Sequence, residues 1–191
     1  MFGWILLIVV VLIAVWLWAT YNGLIKSRNQ TDEAWSDIDV QLKRRHDLIP
    51  NLIATVQGYA SHESSVFTKV TEARSQAMQA NSIDDKIAAE NQLMGTLKSL
   101  FAVAENYPEL KANQNFLQLQ TELADTENKV QAARRFYNGN VRDFNTKIQV
   151  FPTNMIANAL SFKAYKFFEA GEDEKAVPVV NFNQPTQGNH Q

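Results

Sequence analysis

The first charged side chain in this sequence is Lys26. Residues Phe2 to Ala19 (FGWILLIVVVLIAVWLWA) are apolar without a break, and the charge-free stretch runs for about 24 residues. A helix needs about 20 such residues to cross a hydrocarbon core of about 30 Å. Aromatic rings prefer the membrane interfaces; Trp4 stands at one end of the run, and Trp16, Trp18 and Tyr21 at the other. A cleaved signal peptide would show a basic start, a shorter apolar core and a small-residue cleavage site. Here Lys26 and Arg28 follow the run and bulky tryptophans occupy its end, so Phe2 through Arg28 reads as a retained anchor. With no basic side chain before the span and two after it, the positive-inside rule puts the N-terminus outside and the rest of the chain in the cytoplasm.

The remainder divides into a domain at 29–170 and a tail at 171–191, with 1–28 as anchor and juxtamembrane segment. About 140 residues suffice for one core. A formal charge of −2 and the lack of a long basic block leave no electrostatic footprint for nucleic acid. The short cluster Lys43-Arg44-Arg45-His46 is bracketed by Asp39 and Asp47 at helical distance, which reads as a solvated, ion-paired face. There is no cysteine, so thiol nucleophiles, disulfides and cysteine-ligated metals are excluded.

From Asn29 to Val150 the hydrophobic period is helical. Trp35, Ile38, Leu42, Ile49, Leu52 and Val56 form a 3-4 stripe broken only by Arg45. Thr31 or Asn29 suits a cap after the anchor, though one continuous helix satisfies the same pattern. Pro50 should remove a backbone hydrogen bond and bend this helix. A second helix follows Gly58–Ser61, with Ser61 and Ser64 as cap candidates and small residues Val70, Ala73 and Ala77 on its stripe. Ser82 before Asp84 and Asp85 predicts the start of a third, over roughly 84 to 106. Pro108 opens a fourth, which keeps near-heptad spacing from Phe116 to Ile148 and stops at Phe151-Pro152. Asn138 and Asn145, one heptad apart, read as polar seam residues that set register.

These lengths predict an all-α fold: a transmembrane helix followed by an antiparallel up-and-down four-helix bundle with long first and last helices. Residues 151–168 would then lie near the bilayer. If helices two and three are instead one bent helix, that segment sits at the far end. Residues Phe162, Lys163, Lys166, Phe167 and Phe168 suit two roles there, filling the bundle or meeting lipid headgroups and partners. The Gly-, Pro-, Asn- and Gln-rich tail should be disordered. Its small apolar island, Val177 to Phe182, suits docking on the bundle or service as a short peptide ligand.

Chemistry is hard to find. His62-Glu63 lacks the second histidine of a zinc-protease helix, and His46 and His190 do not complete a ligand set. Neither a Gly-x-Ser-x-Gly elbow nor a phosphate-binding glycine loop is present, and no Glu-x-x-His pair supports a di-iron bundle. We therefore expect no cofactor, no metal and no catalytic residues. Arg45 at a seam position must find an acid, because an unpaired buried charge is costly. Aligning Tyr59 with Leu110 in an antiparallel pair puts Glu122, Asp125 and Glu127 opposite it, as partners in a structural ion pair.

The blocks AWSDIDVQLKRRHDLIPNLI (34–53), VQGYASHE (56–63), ENYPELKAN (105–113), FLQLQTELADTENKV (116–130), ARRFYN (133–138) and FNTKIQVFP (144–152) resemble the LemA family. The resemblance starts at Tyr21-Asn22-Gly23-Leu24 and covers nearly all of the chain before the tail. It implies a bacterial inner-membrane protein with a short outward N-terminus and a helical domain, and no established catalytic activity. Some family members are tied to organelle membrane biogenesis in magnetotactic bacteria; others are encoded beside membrane metalloproteases or TPM-domain proteins. Some carry a lipid-attachment cysteine, a route this cysteine-free sequence lacks. The expectation is a non-enzymatic scaffold or adaptor in the lipid bilayer, with membrane proteins and itself as partners. A membrane-remodelling or lipid-surface role for residues 151–168 is the alternative.

Overall fold

The computed structural model describes residues 2–168. Residues 1 and 169–191, and with them the tail and its apolar island, lie outside the described residues. Within them the chain is helical and contains no strand.

The first helix, α1, runs from Phe2 to Gln57 without a break, so no cap forms at Thr31 or Asn29. Its first eighteen described residues are all solvent-exposed, with Phe2, Trp4 and Trp18 among the most open. Burial starts abruptly at Leu24 and recurs at Ser27, Thr31, Ala34, Ile38 and Leu42, the inward face of an amphipathic helix. Pro50 sits within this helix and has no N–H to give the carbonyl of His46, four residues back. Arg74 supplies the missing donor: its Nε bonds the His46 carbonyl oxygen at 2.7 Å. The proline is thus tolerated on the exposed side while a neighbouring helix satisfies the freed acceptor.

Helix α2 spans Ser64–Gln79, and α3 spans Ile83–Glu105. Neither Ser61 nor Ser64 caps α2; Glu63 occupies that position without a side-chain cap bond. Backbone turns at Tyr59 to Glu63 leave Ser61 two residues short, and Ser64 is already inside the first turn. At α3 the serine signal works locally: Ser82 Oγ accepts from the Asp85 N–H at 3.0 Å, with Asp84 and Asp85 at the positive end of the helix dipole. The single turn α4, Pro108–Lys111, precedes α5, Gln114–Gln149. The predicted fourth helix is therefore interrupted, because Leu110 turns into the core and Asn113 caps a new start by accepting from the Phe116 N–H.

Helix α1 packs along α5, and α2 packs on α3. Contacts along the two long helices and just beyond their facing ends run in reverse order. Ser27 meets Lys147, Arg45 meets Glu127, and Tyr59 meets Asn113. The apolar interior falls into two clusters. One includes Ile49, Leu52, Val56, Phe67, Leu93 and Leu123; the other includes Ala34, Ile38, Leu42, Val130, Tyr137 and Val141. Beyond α5 the short helix α6, Thr153–Ala159, returns against α1. It ends with Ser161 at a φ of 57°, with bonds from Ser161 N–H to the Asn158 carbonyl and from Phe162 N–H to the Ala157 carbonyl. That is the Schellman ending, built on serine where glycine is the unstrained choice.

Candidate functional site

Two polar constellations stand out. The first lies between the apolar clusters. Arg45 donates from Nη2 to Glu90 Oε2, and from Nη1 to Glu127 Oε2 at 2.5 Å. His46 Nε2 lies 2.8 Å from Glu90 Oε1. An ionised carboxylate can only accept, so this bond puts the proton on Nε2. Burial pushes the Glu90 carboxyl up, but the His46 hydrogen bond and the Arg45 charge together outweigh it, and Glu90 stays below the ordinary carboxylate range. On one side, Lys86 pairs with Asp39 at 2.5 Å and stands over the Trp35 ring.

Of the acids expected opposite Arg45, only Glu127 touches it. Glu122 accepts instead from Gln118 at 2.9 Å, and Asp125 pairs with Lys129 at 2.8 Å. The Lys129 bond lowers the Asp125 pKa. Sequence reasoning missed Glu90 and His46. His46 carried a signal, since it adjoins Arg45 on the same helix, and so did Glu90, which stands three residues before Leu93 on one face of α3.

The second constellation holds residues 162–168 against the long helices as an extended strap. Asn145 Nδ2 donates to the Tyr165 carbonyl and Oδ1 accepts from the Tyr165 N–H, both at 2.9 Å. Asn138 repeats this with Phe168, donating at 2.9 Å and accepting at 2.8 Å. One heptad of helix rises about 10 Å, and three extended residues span about the same, so the two amides match two rungs of the strap. Tyr137 Oη donates to the Lys166 carbonyl at 2.9 Å, and Tyr165 Oη donates to Asp32. Burial and the Asp32 charge raise both phenols to about 12. The two asparagines, expected as register residues of a helical seam, thus act as backbone clamps for a non-helical segment.

The sequence-predicted surface residues separate here. Phe168 is buried under Trp35, with the Arg134 guanidinium over its ring, and belongs to the core. Lys166 reaches Asp84 at 2.5 Å, away from the anchor, and Phe167 remains exposed. Phe162 and Lys163 instead line a groove of about 460 Å³ with Tyr21 and Arg28 of α1. Lys26 is exposed, and Arg28 lies 3.9 Å from Asp32. Among the described residues, no group of three or more His, Asp or Glu side chains is arranged to hold a metal.

Residues 34–182 match the model of the LemA family. The chain belongs to the LemA family. The match takes in the charge layer, both clamping asparagines and the strap. Relatives include Protein LemA of Metamycoplasma hominis, 32% identical over 158 residues, covering 81% of this chain and 71% of that one. Magnetosome protein MamQ 2 of Paramagnetospirillum magneticum is 24% identical over 189 residues, covering 84% of this chain and 70% of its own. MamQ of Magnetospirillum gryphiswaldense is 22% identical over the same length, with 84% and 70% covered. This LemA-family chain has one helix long and apolar enough to cross a membrane among the described residues, which with these relatives marks a membrane-associated protein.

Proposed function

We propose that this protein is a non-enzymatic, single-pass inner-membrane scaffold that displays a stiff helical body to other membrane-associated proteins, itself included. The observation that carries the proposal is the continuity of α1. One helix runs from an exposed apolar face at Phe2–Ala19 into a buried seam from Leu24 onward, with no hinge between them. Motion of the body is thereby coupled to the bilayer, as suits an adaptor that presents a surface at a set height. The reversed contacts between α1 and α5 support an antiparallel, up-and-down four-helix arrangement of the domain at 29–170. Lys26 and Arg28 after the span favour an outward N-terminus and a cytoplasmic body. Nucleic acid is no part of the proposal, given the charge balance.

Topology tests the orientation first. A Gln187→Cys variant probed with a membrane-impermeant maleimide should stay unlabelled in intact cells and react after lysis. Photo-crosslinkers at exposed Val40, Met78 and Phe136 should then give discrete adducts with membrane proteins. Labelling before lysis overturns the orientation; a complete lack of adducts overturns the scaffold.

A second role, contact of residues 151–168 with the lipid surface, is favoured by one specific observation. Val150, Phe151, Met155 and Leu160 are exposed, and Thr153 of α6 lies beside Thr20, Gly23 and Leu24 of the anchor. Those apolar side chains stand where the span meets the headgroups. A Phe151→Trp variant of the full chain in bilayers should be quenched by lipids brominated near the headgroup. Lack of quenching beyond the anchor tryptophans' own signal refutes the contact.

A further inference from the structure

The groove between α1 and the strap has a two-sided chemistry. Tyr21, Ile25 and Arg28 lie at i, i+4 and i+7 on one face of α1, and Phe162, Lys163 and Tyr165 close the other wall. Ile25, Phe144, Leu160 and Phe162 give it apolar lining, while Arg28 and Lys163 stand as its cations. The α1 stripe continues below Tyr21 through Trp18 and Leu17, which are exposed and belong to the spanning segment. A molecule seated here would meet positive charge at one end and an apolar track at the other.

Charge around the groove differs in sign from the whole. The segments 21–33, 142–147 and 160–165, which supply or adjoin its walls, carry Lys26, Arg28, Arg142, Lys147 and Lys163 against Asp32, Glu33 and Asp143, in a chain whose formal charge is −2. Asp32, the acid next to the groove, is already engaged by the Tyr165 hydroxyl and lies near Arg28. Lys147 is directed to Ser27 at 3.1 Å, leaving Lys163 and Arg28 as the cations that line the cavity itself. Ser161 also lines it, at a φ of 57° that glycine would adopt without strain.

From this we infer that the groove is a binding site for the phosphate of one anionic phospholipid headgroup, with Arg28 and Lys163 as its cations and Tyr21 and Ser161 as its polar wall. The acyl chains would follow the exposed α1 stripe into the bilayer. The inference rests on the proposed anchoring of residues 2–25 in a membrane, and free inorganic phosphate offers the same headgroup chemistry without the apolar part. A membrane source is favoured because the cavity lies where the charge-free run ends and its lining is partly apolar.

The test uses the full chain in nanodiscs of phosphatidylcholine containing a minor fraction of phosphatidylglycerol, with co-retained lipid read by native mass spectrometry. Incorporation is checked separately by carbonate extraction, so a failure of anchoring is distinguished from a failure of the site. Wild type should retain phosphatidylglycerol in preference to phosphatidylcholine. Removing one interfacial cation should weaken that preference about fivefold, and the Arg28→Gln, Lys163→Gln pair about 25-fold. Lys163→Arg should keep it, and millimolar inorganic phosphate should not displace the lipid. Equal retention by the double variant overturns the site, as does an equal loss in Lys26→Gln, which would reveal only diffuse surface charge. Displacement by inorganic phosphate would assign the groove to a free anion and overturn the lipid.

Discussion

Replacing Arg45 with methionine should be among the most destabilising single changes in this chain, because of what it leaves behind. The Arg45 and Glu90 side chains are 3% and 6% exposed. Arg45→Met removes the charge that faces two carboxylates, leaving Glu90 buried with His46 as its remaining hydrogen-bonding partner. Breaking a buried pair from one side costs about 3–5 kcal/mol, whereas replacing the whole group with apolar residues is often neutral or stabilising. Glu127 is 21% exposed, so Glu127→Gln should cost only about 1–2 kcal/mol after solvent screening. For a chain of this size, about 3–5 kcal/mol lowers the melting temperature by roughly 6–20 °C. The assay is thermal unfolding of the full chain in detergent, followed by far-ultraviolet circular dichroism. The triple variant Arg45→Met, Glu90→Leu, Glu127→Leu should recover part of the loss, since it removes both carboxylates but leaves the His46 Nε2–H without its partner. The sign with pH follows from Glu90. Its folded pKa lies below the ordinary 4.5, so its stabilising contribution is complete above that value and disappears as pH falls through the folded one. Glu90→Gln should therefore flatten the acid limb of the stability curve. A melting temperature unchanged in Arg45→Met, or a triple variant no better than the single, would refute the reasoning.

Arg74→Ala should cost about 1–3 kcal/mol by orphaning the His46 carbonyl. In a Pro50→Ala background the same change should cost much less, because an alanine at that position restores the helical donor; equal costs in chemical denaturation would show that Arg74 acts otherwise. Asn145→Ala removes two strap bonds and should cost about 1–3 kcal/mol locally, visible as faster hydrogen exchange at 162–168 without earlier global unfolding. Asn145→Asp should open the strap as well, since it keeps the acceptor but faces the Tyr165 carbonyl with an anion; exchange as slow as wild type would contradict the clamp. Tyr137 and Tyr165 should ionise near pH 12 by ultraviolet difference absorbance, above their ordinary 10, and each step should vanish in the corresponding Tyr→Phe variant. Their neutral forms stabilise the strap fully below pH 10, and that contribution is lost as pH rises through 12.

What could be read from the sequence was mostly what one helix determines for itself. The apolar run, the α1 stripe from Ile38 to Val56, the Ser82 cap and the proline start at Pro108 all depend on residues within a turn or two of each other. The Ser61 and Ser64 cap failed because the Tyr59–Glu63 turns decide where α2 begins, and turn geometry outweighs cap preference there. Glu90 was legible only in part. It stands on the same face of α3 as Leu93, Leu97 and Leu100, which marks it for burial, but its partners depend on how the α2–α3 pair packs against α1. The asparagines show the limit most clearly. A heptad-spaced Asn138 and Asn145 carry a real geometric signal, but the same spacing serves a facing helix or an extended segment equally well. What decides between them is residues 162–168, which lack a helical period and bring free backbone N–H and C=O groups to the seam. An amide side chain presents one donor and one acceptor side by side, as a neighbouring strand would, so it can satisfy both groups of a single strap residue at once. A partner helix, whose backbone groups are bonded internally, has no such pair to offer.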